Sequence, residues 1–256
     1  EDDDLALGAR NFSTREMKLK AQALQCNGLQ LPPRANHGAA AVSADRIVVV
    51  GGEDDDLALG DAYLGTIRDN EVTWEAVGGD FEARQGLGTV VHDNKVLAFG
   101  GADLMSYASG VDTLDLSSGG GSWEKAKTTG AGPSQRVYSG VAKEGECVYV
   151  HGGFDGVEHL NDTWMLDLRT MGWECLQQHD AEGTAPVPVS QHQLVSSDGR
   201  LVRIGGETSG LMGGETFCGV DVMPSDLVGG KCWEAVQGSV QEKFRRSSHA
   251  ACVLPG

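Results

Sequence analysis

The chain has 256 residues, of which 40% are hydrophobic and 37 are glycine, and its formal net charge at pH 7 is −17. This charge excludes general binding to nucleic acid or to anionic membrane surfaces, because both require a basic footprint. The six cysteines form no closely spaced pairs, and no apolar run is long enough for a transmembrane helix. We therefore expect an intracellular, cytoplasmic protein in a reducing compartment.

The clearest repeated feature along the chain is a short apolar segment that ends in a pair of glycines. These segments recur at intervals of about 50 residues, which is the length of one unit in several repeat folds. Each is rich in β-branched or other apolar residues and is stopped by glycine, as a buried strand would be. The pairs are Gly51-Gly52, Gly100-Gly101, Gly152-Gly153 and Gly205-Gly206.

Further markers keep the same interval and predict four strands in each unit. Segments 111–116 and 161–168 alternate between apolar and polar residues and contain an aspartate near their ends. This pattern indicates a strand with one solvent-exposed face. Segment 14–24 is predicted to be strand rather than helix, because it is in register with residues 66–77. Each unit also has a tryptophan followed by glutamate, at Trp74, Trp123, Trp173 and Trp233.

Four strands per interval, repeated about five times, are the signature of a β-propeller. The double glycine, the aspartate-ended third strand and the tryptophan of the fourth strand resemble kelch repeats over nearly the whole chain. We therefore predict an all-β kelch-type propeller of about five four-stranded blades, or six if the sequence is incomplete. The expected units of this single domain, residues 1–256, are 34–83, 84–135, 136–188, 189–245, and a closing blade from 1–33 plus 246–256.

Arginines at the position that opens each unit are the candidate binding residues. Equivalent positions of a closed propeller lie around its axis at similar height, so these side chains are predicted to line one mouth of the channel. Guanidinium groups match carboxylates, and the resemblance implies a similar use, since some kelch propellers bind acidic peptide segments. The alternative is a scaffold contact with acidic residues of a neighbouring blade. The four residues are Arg34, Arg84, Arg136 and Arg246; the fourth unit opens with Val189.

We predict no metal, no cofactor and no catalytic residues. His37, His192 and His249 recur three residues after the unit-opening position, but ring-related positions are too far apart to share one zinc ion. Kelch propellers of glucosinolate breakdown are thought to hold iron with a Glu-x3-Asp-x3-His spacing. Here Glu158 and Asp162 are followed by leucine at the third position. Nucleophile-elbow, P-loop and zinc-protease motifs are also missing from the sequence.

Two loops are candidate contact surfaces. The acidic segment 53–61 is predicted to be a solvated, self-repelling loop, with a docking patch for a basic partner as the alternative. Segment 207–231 is predicted to protrude as an exposed contact loop. The octamer at residues 1–8 is repeated at 53–60, and the origin of this duplication stays open.

The predicted function is that of a protein-interaction module or scaffold that holds a protein or peptide at one propeller face, where loops carry binding. The resemblance implies such a role, since kelch propellers often serve as ubiquitin-ligase substrate receptors or as cytoskeletal and signalling scaffolds. Two alternatives stay open. One is a structural subunit of a large assembly with no separable activity, and the other is a metal-dependent enzyme or specifier-type protein that acts on a small molecule.

Overall fold

The computed structural model describes residues 23–55, 57–117, 119, 121–179, 186–208, 215–216, 219–224 and 233–235. All regular structure within these ranges is β-strand. They contain no helix that could cross a membrane.

The first blade is an antiparallel sheet in which strand β2 is innermost and β7 lies toward the outside. Its spatial order is β2 (Gly38–Ser43), β3 (Arg46–Val50), β6 (Ala62–Arg68) and β7 (Glu71–Val77). A small hairpin, β4 (Glu53–Asp54) and β5 (Leu57–Ala58), lies between β3 and β6. Strand β1 (Gln25–Gly28), which the sequence placed in the closing blade, instead pairs in parallel with β7.

Three further sheets repeat this pattern. The second contains β8 (Gly88–His92), β9 (Lys95–Phe99), β10 (Val111–Asp115) and β11 (Glu124–Lys125). The third contains β12 (Gly140–Glu144), β13 (Cys147–Phe154), β14 (His159–Asp167) and β15 (Gly172–Gln177). The fourth contains β16 (Gln193–Ser197), β17 (Arg200–Ile204), β20 (Val220–Pro224) and β21 (Glu234–Ala235), with the small hairpin β18 (Glu207–Thr208) and β19 (Glu215–Thr216).

This arrangement confirms the all-β propeller that the sequence predicted, and four blades are described where about five were expected. The residues assigned to the closing blade, 1–33 and 246–256, lie outside the described ranges except for 23–33. The predicted strand over 14–24 likewise falls almost entirely outside them.

The core consists of three apolar clusters, and each one lies between two consecutive blades. Between the first and second blades, Val48 and Leu64 pack with Val96 and Leu114, and all four are at most 2% exposed. Burial of each such side chain contributes about 1.5–3 kcal/mol. The regular recurrence of tryptophan along the chain has the same explanation, since successive clusters include Trp123, Trp173 and Trp233.

Close contact between innermost strands explains a glycine at the start of three of them. A Cβ on Gly88 would overlap the side chain of Val141, the nearest residue of the next blade. Gly38 and Gly140 are crowded in the same way. The second glycine of each pair has a different reason, illustrated by Gly52, whose φ of 104° is a conformation that L side chains rarely adopt.

The antiparallel order gives each blade two distinct ends. The loops that follow the glycine pairs, and the segments that enter the innermost strands, emerge at the same end. We call this end the double-glycine face; its described parts are residues 34–37, 51–55, 57–61, 84–87, 100–110, 136–139, 152–160, 189–192 and 205–208. The opposite end, which we call the hairpin face, carries the tight turns at 44–45, 69–70, 93–94, 145–146 and 198–199.

Candidate functional site

The unit-opening arginines reach into their own sheets and form ion pairs with aspartates there. In the first blade, Arg34 Nη1 and Nη2 donate to Asp61 Oδ1 and Oδ2 at 2.7 and 3.1 Å. Arg34 Nη1 also donates at 2.9 Å to the carbonyl oxygen of Gly51, the first glycine of its pair. The side chain of Arg34 is 2% exposed.

The next two blades repeat this contact. Arg136 donates to both carboxylate oxygens of Asp162 at 2.6 and 2.8 Å, and to the carbonyl oxygen of Gly152 at 3.0 Å. Arg84 pairs with Asp112 and donates to the carbonyl oxygen of Gly100 at 3.3 Å. The buried bidentate pair of Arg136 satisfies the guanidinium and the glycine turn together, whereas Arg84 contacts Asp112 through Nη2 alone.

These contacts favour the scaffold interpretation of the arginines, although each partner lies in the same sheet rather than in a neighbouring blade. Arg84 and Arg136 are both 2% exposed, so a ligand would have to compete with buried aspartates for their donors. A binding role for Arg34, Arg84 and Arg136 stays a prediction. Arg246 lies outside the described residues.

The fourth blade keeps a buried ion pair without an arginine at its opening position. Val189 occupies that position and is fully buried. The cation comes instead from strand β17, where Arg203 Nε donates to Asp221 at 3.0 Å. Asp221 has the same register in its strand as Asp112, because both lie one residue inside the third strand of their blades. Sequence analysis missed Arg203, which does not keep the repeat position.

Arg203 also belongs to a buried polar network between the third and fourth blades. Its Nη1 donates to His151 Nε2 at 3.2 Å, so Nδ1 of this histidine carries the proton and donates to Thr163 Oγ1 at 2.9 Å. Thr163 Oγ1 accepts a second hydrogen bond from Trp233 Nε1 at 3.1 Å. Burial, followed by Arg203 and His192, holds the pKa of His151 well below its usual range. His151 is therefore a neutral structural side chain.

The other residues that were weighed as metal ligands either differ in exposure or are engaged in structural contacts. His37 is exposed whereas His192 is buried, so the two do not form a ring of equivalent ligands. Asp162, the second member of the iron-type spacing, is taken by Arg136 and by Trp164 Nε1, which donates to it at 2.7 Å. Within the described ranges, no three histidine, cysteine or acidic side chains are placed to hold one metal ion.

A chain of backbone hydrogen bonds joins the four blades at the inner edge of the double-glycine face. The amide of Gly86 donates to Asn36, that of Tyr138 donates to Gly86, and that of Gln191 donates to Tyr138, at 2.7–3.0 Å. All four residues have φ between 52° and 64°. They follow the unit-opening residue by two positions, so each blade contributes one link to an arc around the channel mouth.

Side chains on this arc form a half-buried polar group that we call the mouth cluster, which consists of Asn36, Glu53, Gln85, Tyr138, Gln191 and Glu207. Asn36 Nδ2 donates to Glu53 at 2.6 Å, and Tyr138 Oη donates to Gln85 Oε1 at 2.7 Å. Burial raises the pKa of Tyr138, and the carboxylates of Glu53 and Glu207 contribute to the same shift. The mouth is thus lined by amide, phenol and carboxylate groups.

Exposed apolar side chains lie in the corresponding loop of three consecutive blades. Leu57 is 62% exposed in the first, Met105 is 92% exposed in the second, and Val157 is 86% exposed in the third. Leu104, next to Met105, is 72% exposed. We call Leu57, Leu104, Met105 and Val157 the apolar tips. All of them lie on the double-glycine face.

The two loops singled out in the sequence differ in how far the structure describes them. Within the acidic segment 53–61, β4 and β5 pair as a small hairpin, and Asp54, Asp55 and Leu57 are exposed, in agreement with the predicted solvated loop. A role as a docking patch stays a prediction. Only the pairing of β18 with β19 is described in the first half of the predicted contact loop 207–231. The prediction of an exposed loop is wrong for residues 220–224, because they form strand β20 of the fourth blade and bury Met223 in its core. Most of the rest of 207–231 lies outside the described residues, so its exposure stays a prediction.

Comparison with known families agrees with this geometry. A family model described as KLHDC2/KLHL20/DRC7 Kelch-repeats domain matches residues 9–206 and 75–256. The chain belongs to this kelch-repeat family. The four blades, the glycine pairs and the arginine–aspartate contacts are therefore the framework of a kelch propeller.

Curated relatives extend well beyond the region that matches. The chain is 29% identical to a Gallus gallus protein named Rab9 effector protein with kelch motifs, over 72% of this chain and 51% of that protein. It is 31% identical to Arabidopsis thaliana acyl-CoA-binding domain-containing protein 5, over 68% of this chain and 28% of that protein. Human host cell factor 2 is 29% identical, over 48% of this chain and 17% of that protein. The matches thus span about half of the first of these relatives and less than a third of the other two.

Proposed function

We propose that this kelch propeller is a protein-binding module that holds its partner on the double-glycine face. The observation that carries the proposal is the position of the apolar tips. Three consecutive blades each expose an apolar side chain in the same loop, so these side chains surround one end of the channel. Single exposed apolar residues are ordinary on protein surfaces, but several on one functional face indicate an interaction site.

A name among the relatives supports an interaction role. One of them is named an effector of Rab9, which describes a protein that acts through another protein. We propose the same general role here, without carrying over that partner. We also propose that the protein binds without catalysing a reaction, since the titratable groups with the clearest partners, such as His151 and Asp162, are buried in structural contacts.

The arginine positions are weaker candidates for contact than the apolar tips. An acidic partner segment at Arg34, Arg84 and Arg136 would have to replace aspartates that already occupy the guanidinium donors. Removing one member of a buried ion pair is costly, which works against such an exchange. The acidic-segment hypothesis therefore predicts a large structural change on binding, whereas binding at the apolar tips requires none.

Affinity capture with two matched double variants tests the proposal. Met105→Ser/Val157→Ser removes two apolar tips, and Leu24→Ser/Leu29→Ser removes two exposed leucines beside β1, at the outer edge of the first blade. All four side chains are exposed, so both variants are expected to fold normally.

Proteins captured from native lysate are then quantified by mass spectrometry. We expect a defined set of proteins to bind the unchanged chain and the Leu24/Leu29 variant, and to be lost from the Met105/Val157 variant. Equal capture by both variants would show that the apolar tips do not form the contact surface.

A further inference from the structure

The loops of the double-glycine face combine apolar tips with negative charge. In the first three blades, loops 51–61, 100–110 and 152–160 each contain acidic residues but no lysine or arginine. Within them, Asp54 and Leu57 lie in one hairpin, Asp103 precedes the tip at Met105, and Glu158 follows Val157. Apolar and anionic groups thus alternate around this end of the propeller.

The hairpin face differs in charge. Its turns and adjacent strand ends carry cations as well as anions, including Arg68 beside Asp69, Lys95 beside Asp93, and Arg169 paired with Asp167 at 3.0 Å. Near the double-glycine face, the buried arginines are matched by aspartates, and Lys125 of β11, which is 58% exposed, pairs with Asp112. The loops of the double-glycine face therefore carry acidic residues without lysine or arginine, whereas the hairpin face carries charges of both signs.

Two carboxylates bring this negative charge to the channel mouth. Glu53 comes from the first blade and Glu207 from the fourth, and both act electrostatically on Tyr138 in the third. Each accepts a hydrogen bond from a neutral amide, Asn36 to Glu53 at 2.6 Å and Gln191 to Glu207 at 3.1 Å. Among the described residues, neither carboxylate forms an ion pair, so their charge is available to a cation from outside.

We propose that the double-glycine face binds a protein segment that carries lysine or arginine side chains next to apolar ones. Cationic side chains of the segment lie over the carboxylates of Glu53 and Glu207, while its apolar side chains pack against Leu57, Met105 and Val157. This inference rests on the proposed function and specifies the chemistry of its partner. It reverses the charge expected from an arginine-lined mouth, because the arginines form buried ion pairs whereas Glu53 and Glu207 form none with the residues that the structure describes.

Charge complementarity across an interface mainly sets specificity and the rate of association. The proposal therefore predicts that binding weakens as salt is added, since partly exposed charges are screened. Apolar contact with the tips accounts for the part of the affinity that remains at high salt.

Selection from a phage-displayed library of random peptides tests the proposal without assuming a partner. We expect peptides retained by the unchanged protein to be enriched in lysine or arginine next to leucine, isoleucine, phenylalanine or methionine. We also expect them to be lost with Met105→Ser/Val157→Ser. Enrichment of acidic peptides that depend on the same tips would overturn the proposed partner chemistry and leave the binding face intact. Retention that is independent of the tips would overturn the binding face itself.

Matched charge variants give the second arm of the test. Glu53→Gln/Glu207→Gln removes two mouth charges while each new amide oxygen can still accept the existing hydrogen bond. Asp69→Asn/Asp198→Asn removes two charges from the hairpin face at turn residues with φ of 49° and 51°, which asparagine tolerates. A selected basic peptide is expected to bind the first variant about 5-fold more weakly and the second unchanged, as measured by fluorescence anisotropy. Equal affinity for both variants would contradict the role of the mouth carboxylates.

Discussion

Arg203 and Asp221 form a buried ion pair in the one described blade that does not open with arginine. The guanidinium approaches the third strand from the second strand, and in the other blades it approaches from the segment before the innermost strand. Both routes place a cation against a third-strand aspartate near the double-glycine turn. The framework therefore requires the buried pair, and the sequence position of its arginine can change.

Loss of the guanidinium in the third blade is expected to be strongly destabilising. Arg136→Met leaves the carboxylate of Asp162 buried without its cation, which costs about 3–5 kcal/mol of unfolding free energy. The matched control is Arg169→Met, since Arg169 pairs with Asp167 but its side chain is 69% exposed. The control is expected to lose less than about 1 kcal/mol. Urea unfolding measures both changes, and similar losses in the two variants would contradict a structural role for the buried pair.

Arg203→Met is expected to be as damaging as Arg136→Met, although Arg203 does not hold a repeat position. It leaves Asp221 unpaired and removes the hydrogen bond to His151. Arg200→Met, at the exposed first residue of the same strand, serves as the control and is expected to change stability by less than about 0.5 kcal/mol. If Arg203→Met unfolds at the same urea concentration as the control, the proposed equivalence of the two arginine positions is wrong.

Acid is expected to destabilise the protein through His151. The pKa of this side chain is lowered in the folded state, so the unfolded chain binds a proton more readily below the ordinary histidine pKa. Unfolding free energy therefore falls as the pH drops below about 6.5, by up to about 1.4 kcal/mol per pH unit for this one group. Stability is regained as the pH rises again.

Urea unfolding over a pH series measures this slope. His151→Gln, which cannot take up a proton, is expected to flatten it. A slope that is identical in the unchanged protein and in His151→Gln would show that other groups cause the acid sensitivity.

Close packing of the innermost strands is expected to make Gly88 intolerant of substitution. The methyl group of Gly88→Ala would overlap Val141, and such overpacking costs about 1–3 kcal/mol. Gly79→Ala is the control, because a Cβ at Gly79 meets no atom within 4 Å. Thermal unfolding is expected to show a lower midpoint for Gly88→Ala alone. An unchanged midpoint would mean that adjacent blades can separate at little cost.

The repeat pattern was sufficient to predict the fold because its markers have local structural roles. Gly52 needs a positive φ, and Trp123 fills an inter-blade cluster, so both recur wherever a blade recurs. The position of strand β1 could not be predicted in this way, because no repeat marker identifies its partner. It pairs with the outer edge of β7, which lies much later in the sequence.

The candidate site was less predictable than the fold. The sequence showed that Arg34 and Arg136 are equivalent, but not whether their side chains face a ligand or an aspartate, since that depends on burial. The apolar tips were missed although their spacing is nearly regular, since Met105 and Val157 each lie four residues after their glycine pair and Leu57 lies five residues after its pair. A usable signal was present, namely an apolar residue within the short acidic loop after each pair.

Photo-crosslinking from single positions tests most directly whether the double-glycine face is the binding surface. A photoreactive amino acid replaces Met105 in one protein and Asp69, on the hairpin face, in another. Partners in native lysate are expected to crosslink from position 105 and not from position 69. Crosslinks from position 69 alone, or equally from both positions, would contradict the proposed binding face.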